Sequence, residues 1–100
     1  MKAKVRHMVA FTLIHPKDSP EAKKFIEDSA RILGSIPYAA EFIQCYEVSP
    51  KNNYDYGFSF DFMTEEDYDR YNNDPVHLDY VEQYWKKQVS AFFEMDLCEL

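Results

Sequence analysis

Apolar and polar positions alternate at the start of the chain. Val5, His7, Val9, Phe11 and Leu13 share one face by strand parity, with Arg6, Met8, Ala10 and Thr12 on the other. A first strand, buried on both sides, is predicted. Ser19-Pro20-Glu21 then supplies an N-cap oxygen, a proline at the first helical position and an acid at the positive end of the helix dipole. Ala22, Phe25, Ile26, Ser29, Ala30 and Leu33 recur at helical spacing, and Gly34 suits a left-handed closing residue, so a helix is expected over 20–33.

The period returns to two in EFIQCYEV, residues 41–48, and in YDYGFSFDF, residues 54–62, joined by the turn cluster SPKNN. Tyr54, Tyr56, Phe58, Phe60 and Phe62 lie on one face of the second strand, an aromatic row that calls for a thick covering layer of helices. Thr64 followed by Glu65, Glu66 and Asp67 caps a helix through Tyr71, and Asp74-Pro75 opens a second helical piece to about residue 86. Residues 88–100 supply a last strand with Val89, Ala91, Phe93, Met95 and Leu97 on one side. The order strand, helix, strand, strand, helix, strand predicts an α+β, ferredoxin-like βαββαβ fold over residues 1–100 as one domain. Its four-stranded antiparallel sheet carries helices on one face.

Helices on one face leave the other face of the sheet open. Met8 and Ala10, Ile43 and Cys45, and on the last strand Phe92 and Cys98 are expected there. A patch of that kind marks an association surface, and the expectation is a homodimer whose two sheets face each other. Eighteen acidic against eleven basic residues, a net charge of −7, disfavour nucleic acid and anionic membrane as partners. The first residues lack a signal-peptide pattern, and two cysteines without C-x-x-C or Cys/His spacing match neither a disulfide framework nor a metal knuckle. The expected setting is cytoplasmic, with no metal and no cofactor.

Three histidines remain. His15, beside Pro16 at a strand end, reads as a solvated loop residue. His7 shares the apolar face of strand one with Val9 and Phe11, Tyr71 ends the first piece of the second helix, and His77 begins the next piece after the turn NNDP. Spacing permits Tyr71 and His77 to converge beneath the helices without requiring it. His77 then has two readings. As a neutral imidazole it is a general base for a proton next to a carbonyl; as a helix-start residue it spends its ring nitrogens on Tyr71 or on backbone.

The strand RHMVAFTL with His7, and Y-x-x-x-P-x-H with Tyr71, Pro75 and His77, make the chain similar to the stress-responsive A/B barrel (Dabb) family of dimeric α/β barrels. The resemblance covers nearly the whole chain. It implies a homodimer with a small-molecule pocket between helices and sheet in each subunit, holding a small hydrophobic ligand. A plant member is a polyketide cyclase that works without metal or cofactor; by that likeness His77 is the general base, Tyr71 assists it and His7 lines the same cavity, where it is read as an orienting residue. Phe11, Ile26, Ala30, Tyr56 and Phe58 are implied in the pocket wall. The chain departs from the cyclase pattern at Asp74 and Tyr56, where histidines are common, and at Phe58, which is bulkier than the usual aliphatic residue. Two classes of function follow: cofactor-independent acid/base chemistry, cyclase- or isomerase-like, on a small apolar carbonyl compound, and a non-catalytic ligand-binding or stress-response dimer. A haem-linked or antibiotic-biosynthesis-type monooxygenase of the same barrel shape is the third.

Overall fold

The computed structural model describes residues 4–39 and 41–100; residues 1–3 and residue 40 lie outside it. Strand β1 is Val5–Leu13, followed by helix α1 (Pro20–Leu33), β2 (Glu41–Tyr46) and β3 (Tyr56–Phe62). Helix α2 (Glu65–Asn73) is succeeded by α3 (Pro75–Tyr80), which runs on through a π-helical turn, Val81–Trp85, and a last α-turn, Lys86–Gln88. Strand β4 (Val89–Leu97) closes the fold. The sheet order is β2-β3-β1-β4 with every neighbouring pair antiparallel, the ferredoxin-like arrangement.

Register sorts the side chains into rows that cross the sheet. On the helix side one row is Phe42–Phe60–His7–Asp96, the next Gln44–Phe58–Val9–Glu94, and the third Tyr46–Tyr56–Phe11–Phe92. On the open side the rows are Ile43–Ser59–Met8–Met95 and Cys45–Gly57–Ala10–Phe93, with a charged row, Glu41–Asp61–Arg6–Leu97, at one end. There the Arg6 guanidinium bonds both oxygens of Asp61, at 2.9 and 3.3 Å, and holds that carboxyl below its ordinary range. The core lies between helices and sheet. Phe11 meets Phe58 edge-on at 4.8 Å and Trp85 at 5.0 Å, and Phe25, Phe62 and Tyr80 complete the buried layer.

Three expectations are corrected. The β2–β3 connection spans 47–55 rather than the SPKNN turn alone: Tyr54 lies outside β3, and Glu47 N–H bonds the Asp55 carbonyl at 3.0 Å across the base of the loop. Gly34 closes α1 in the right-handed region, φ −66°, not the left-handed one. Its role is close approach, since a Cβ there would sit 2.4 Å from the Ala30 carbonyl oxygen.

The third correction concerns β4. Leu13 stands opposite Val89 but Thr12 stands opposite Ala91, so Ser90 is an extra residue, a β-bulge, with its hydroxyl 2.9 Å from that of Thr12. One inserted residue reverses the parity of everything beyond it. Val89 packs on the core as its position suggests, but Phe93, Met95 and Leu97 turn to the open face. Phe92, expected on the open face, turns to the helix side and meets Trp85 edge-on at 5.7 Å. Cys98 lies past the end of β4.

Candidate functional site

The break between α2 and α3 builds the first half of the site. Asp74 ends α2 and caps α3, its side chain accepting from Val76 N–H at 2.8 Å, while Pro75 occupies the first helical position, which has no donor duty. His77 follows in the first turn of α3. Its Nδ1 lies 3.2 Å from the carbonyl oxygen of Asn72, one of the carbonyls left over at the end of α2. A carbonyl only accepts, so Nδ1 carries the proton and Nε2 keeps the lone pair. Burial holds the His77 ring below the ordinary histidine range, with the Asn72 contact opposing and His7 adding to the effect, so the neutral form dominates at pH 7.

Tyr71, on the last turn of α2, meets the His77 ring at 4.5 Å and lies against Phe60 at 5.2 Å and Phe62 at 5.1 Å. Burial raises its hydroxyl well above the ordinary tyrosine range, so it stays protonated as a donor. His7 enters from the sheet. Its Nδ1 is 2.6 Å from Asp96 Oδ1, the cross-strand neighbour, and 3.2 Å from the Tyr68 hydroxyl. Tyr68 in turn donates to Asp96 Oδ2 at 2.9 Å, and its own hydroxyl is pushed up to about 12, first by burial and then by that bond.

Sequence spacing left the convergence of these groups open; the fold decides it. His7, Tyr71 and His77 line one cavity of about 360 Å³ together with Tyr68, Glu94 and Lys86. Its wall is apolar and largely aromatic, formed by Phe58, Phe60, Tyr80, Trp85 and Phe92 among others. Val81, Trp85 and Lys86 come from the π-helical turn and its exit, a departure from regular helix that concentrates at functional sites. The helix layer leaves the β4 side uncovered, so Phe92, in the cavity wall, is half exposed.

Of the residues implied in the wall, Phe58 lines this cavity. Phe11 is fully buried in the core, Ile26 and Tyr56 line a separate hollow of about 320 Å³ beside Asp18 and Gln44, and Ala30 faces a third near Ile36. For Phe11 the reason is enclosure: its ring is surrounded by those of Phe25, Tyr56, Phe58 and Trp85. His15 is half-buried and bonds Gln88 at 2.9 Å rather than standing free in solvent. Sequence reading missed Tyr68, Glu94 and Asp96. Tyr68 had a signal, one helical turn before Tyr71; the two acids had none until the bulge placed them on the inner face.

Among the described residues no group of three His, Cys, Asp or Glu side chains is arranged to hold a metal ion, and no helix is long and apolar enough to cross a membrane. Cys45 and Cys98 are free and exposed.

Comparison with known proteins places this architecture. No curated protein matches the chain significantly. A Dabb-family protein with a ferredoxin-like fold from Mesorhizobium loti is 38% identical over 99% of both chains, with a TM-score of 0.96. A dimeric ferredoxin-like protein of unknown function from Thermobifida fusca matches at 15% identity, 99% of this chain and 93% of that one, TM-score 0.78. A hydroxynitrile lyase from Passiflora edulis matches at 12% identity, covering 100% and 96%, TM-score 0.82. At such identities the last two speak for the fold alone. The model of the stress responsive A/B barrel domain matches residues 5–98, all four strands and every helix between them, and with the sheet order and the identity to the Mesorhizobium loti protein it establishes that the chain belongs to the Dabb family.

Proposed function

We propose that the cavity takes a small, largely apolar carbonyl compound and moves a proton at the carbon beside the carbonyl, without a cofactor. The observation that supports this most is the His77 tautomer: Nδ1–H is committed to Asn72, which leaves an unprotonated Nε2 on a neutral ring whose centre lies 4.5 Å from that of Tyr71. In the proposed step the substrate carbon gives its proton to Nε2 of His77, the C–H electron pair moves into the carbonyl, and Tyr71 donates a hydrogen bond to the oxygen as negative charge gathers there. His7 orients the bound molecule. A volume of about 360 Å³ sits at the small end of the roughly 300–1,000 Å³ typical of ligand sites. A hydroxynitrile lyase on the same fold is consistent with enzymatic use of this architecture and says nothing of the substrate here.

We propose a homodimer, built by the open face of the sheet. Ile43, Phe93, Met95 and Leu97 are 49%, 53%, 41% and 48% exposed on that face, an apolar area that calls for cover, and a neighbour of the same fold is dimeric. A cytoplasmic setting accords with two exposed free thiols.

A second reading, ligand binding without chemistry, draws on the Tyr71 ring packed between Phe60, Phe62 and His77. One experiment separates the two. Acetophenone and propiophenone are incubated with the protein in D2O, and loss of the proton signal beside the carbonyl is followed by NMR; quenching of Trp85, the sole tryptophan and part of the cavity wall, reports binding. The expected result is exchange above buffer that falls about 10²-fold in His77→Ala and in Tyr71→Phe. Quenching with exchange at the buffer rate would leave the binding reading and remove the proton transfer.

A further inference from the structure

The cavity contains a second histidine whose surroundings are more elaborate than an orienting role requires. Strand register sets Asp96 directly across from His7, and Phe60 directly across on the other side. The Asp96 carboxylate accepts from two donors, Nδ1 of His7 at 2.6 Å and the Tyr68 hydroxyl at 2.9 Å, one on each oxygen. The His7 ring is flanked by the rings of Phe60 at 5.5 Å and Tyr68 at 5.4 Å. Since the carboxylate accepts, the proton sits on Nδ1, and Nε2 has no protein partner among the described residues.

We propose that Asp96 and Tyr68 are a positioning pair for His7, which they turn so that its Nε2 joins Nε2 of His77 as a second proton-transfer atom on the cavity. The inference rests on the proton-transfer reading above and goes beyond it in giving the two histidines different tasks. His77 is backed by a neutral carbonyl in a buried setting, which suits the neutral, accepting form. His7 is backed by a half-exposed carboxylate, which offers a positive charge on the ring an ionic partner.

The step then balances without outside help. The step starts from His7 with a proton on each ring nitrogen, the Nδ1 proton held by Asp96: the substrate carbon gives its proton to Nε2 of His77, the C–H pair becomes the new C=C bond as the carbonyl pair moves to oxygen, and that oxygen takes the proton from Nε2 of His7. His77 ends charged and His7 neutral. Exchange with solvent, to which the Asp96 side chain is half exposed, restores the starting state.

The test substitutes Asp96→Asn and reads the His7 tautomer, ketone exchange, Trp85 quenching and the melting curve. Neutral His7 is examined by long-range proton–nitrogen NMR correlation: in the wild type the proton is expected on Nδ1, and in Asp96→Asn, whose amide N–H points at Nδ1, on Nε2. Exchange of acetophenone in D2O is expected to fall about 10²-fold at unchanged Trp85 quenching. Tyr68→Phe, which keeps the ring and removes one bond, should fall less. Because Asp96 is half exposed at an edge strand, the fold is expected to persist, and the melting curve checks it. A wild-type His7 carrying its proton on Nε2 overturns the positioning role. Exchange in Asp96→Asn at the wild-type rate overturns the catalytic role of His7 while leaving that of His77 intact. No exchange in the wild type defeats the proton-transfer reading and the task given to His7 together, and the tautomer still decides whether Asp96 positions the ring.

Discussion

The two faces of β4 carry opposite chemistry in reversed places. Its outward face, Ala91, Phe93, Met95 and Leu97, is apolar and exposed; its other face, Phe92, Glu94 and Asp96, sets two exposed acids on the helix side of the sheet. The neighbouring strand β1 obeys the usual rule at Val5, Val9, Phe11 and Leu13, which point inward and are buried. An apolar row facing out calls for a partner surface, whereas the acids on the other side keep solvent and, at Asp96, the bonds from His7 and Tyr68. The strand thus offers one side to the proposed association and the other to the cavity, and a single inserted residue, Ser90, divides them so.

Deleting Ser90 breaks the comparison most severely. Without the bulge, Phe93 and Met95 are forced toward the cavity and Glu94 and Asp96 toward the open face, or else Val89 leaves the core. The expected loss is about 3 kcal/mol or more, read as a lower urea midpoint. A midpoint equal to that of the wild type would show that the bulge does not set the faces.

A pair of substitutions one position apart sharpens the contrast. Met95→Lys places a charge on the outward face, and an uncompensated buried charge costs about 3 kcal/mol per copy, enough to convert the proposed dimer to a monomer in sedimentation while Trp85 emission is kept. Glu94→Leu, on the inward face, is expected to keep the dimer mass and alter ketone quenching instead. Equal effects of the two on mass would mean that the faces are not divided as described.

The smallest effect concerns pH and belongs to the inward side. Burial lowers the His77 value in the folded chain below the 6.5 of an ordinary histidine, so the unfolded chain takes up the proton first as pH falls. Stability therefore declines as pH drops below about 6.5 toward the folded value, and the His77 contribution is flat above that window. Asp61, held low by Arg6, acts only in a more acidic range. Urea midpoints between pH 7 and 5 should slope less in His77→Gln; an unchanged slope would assign it to other groups.

Much of the fold is legible along the chain because its signals are local. Ser19 accepts from Ala22 N–H and Thr64 from Asp67 N–H as caps, Asp74-Pro75 starts a helix, and β1 and α1 begin and end where their periods do. The aromatic row from Tyr56 to Phe62 predicts a covered face, and those four residues at even spacing are buried. Of the site, the histidines and Tyr71 stand out by type, since few other side chains titrate or donate in this way.

What the chain determined by itself is the order of elements, the inward faces of β1 and β3, and the break that sets His77 at the start of α3. Each depends on residues within a turn or two of one another. Tertiary structure decided the rest: which way β4 faces, that Asp96 stands across from His7, that Tyr68 joins them, and that Ile26 and Tyr56 belong to another hollow. A strand carries two faces of alternating residues, and nothing within it says which one meets the helices. That choice is made by pairing with β1, more than seventy residues away in sequence, where one unpaired serine exchanges the two.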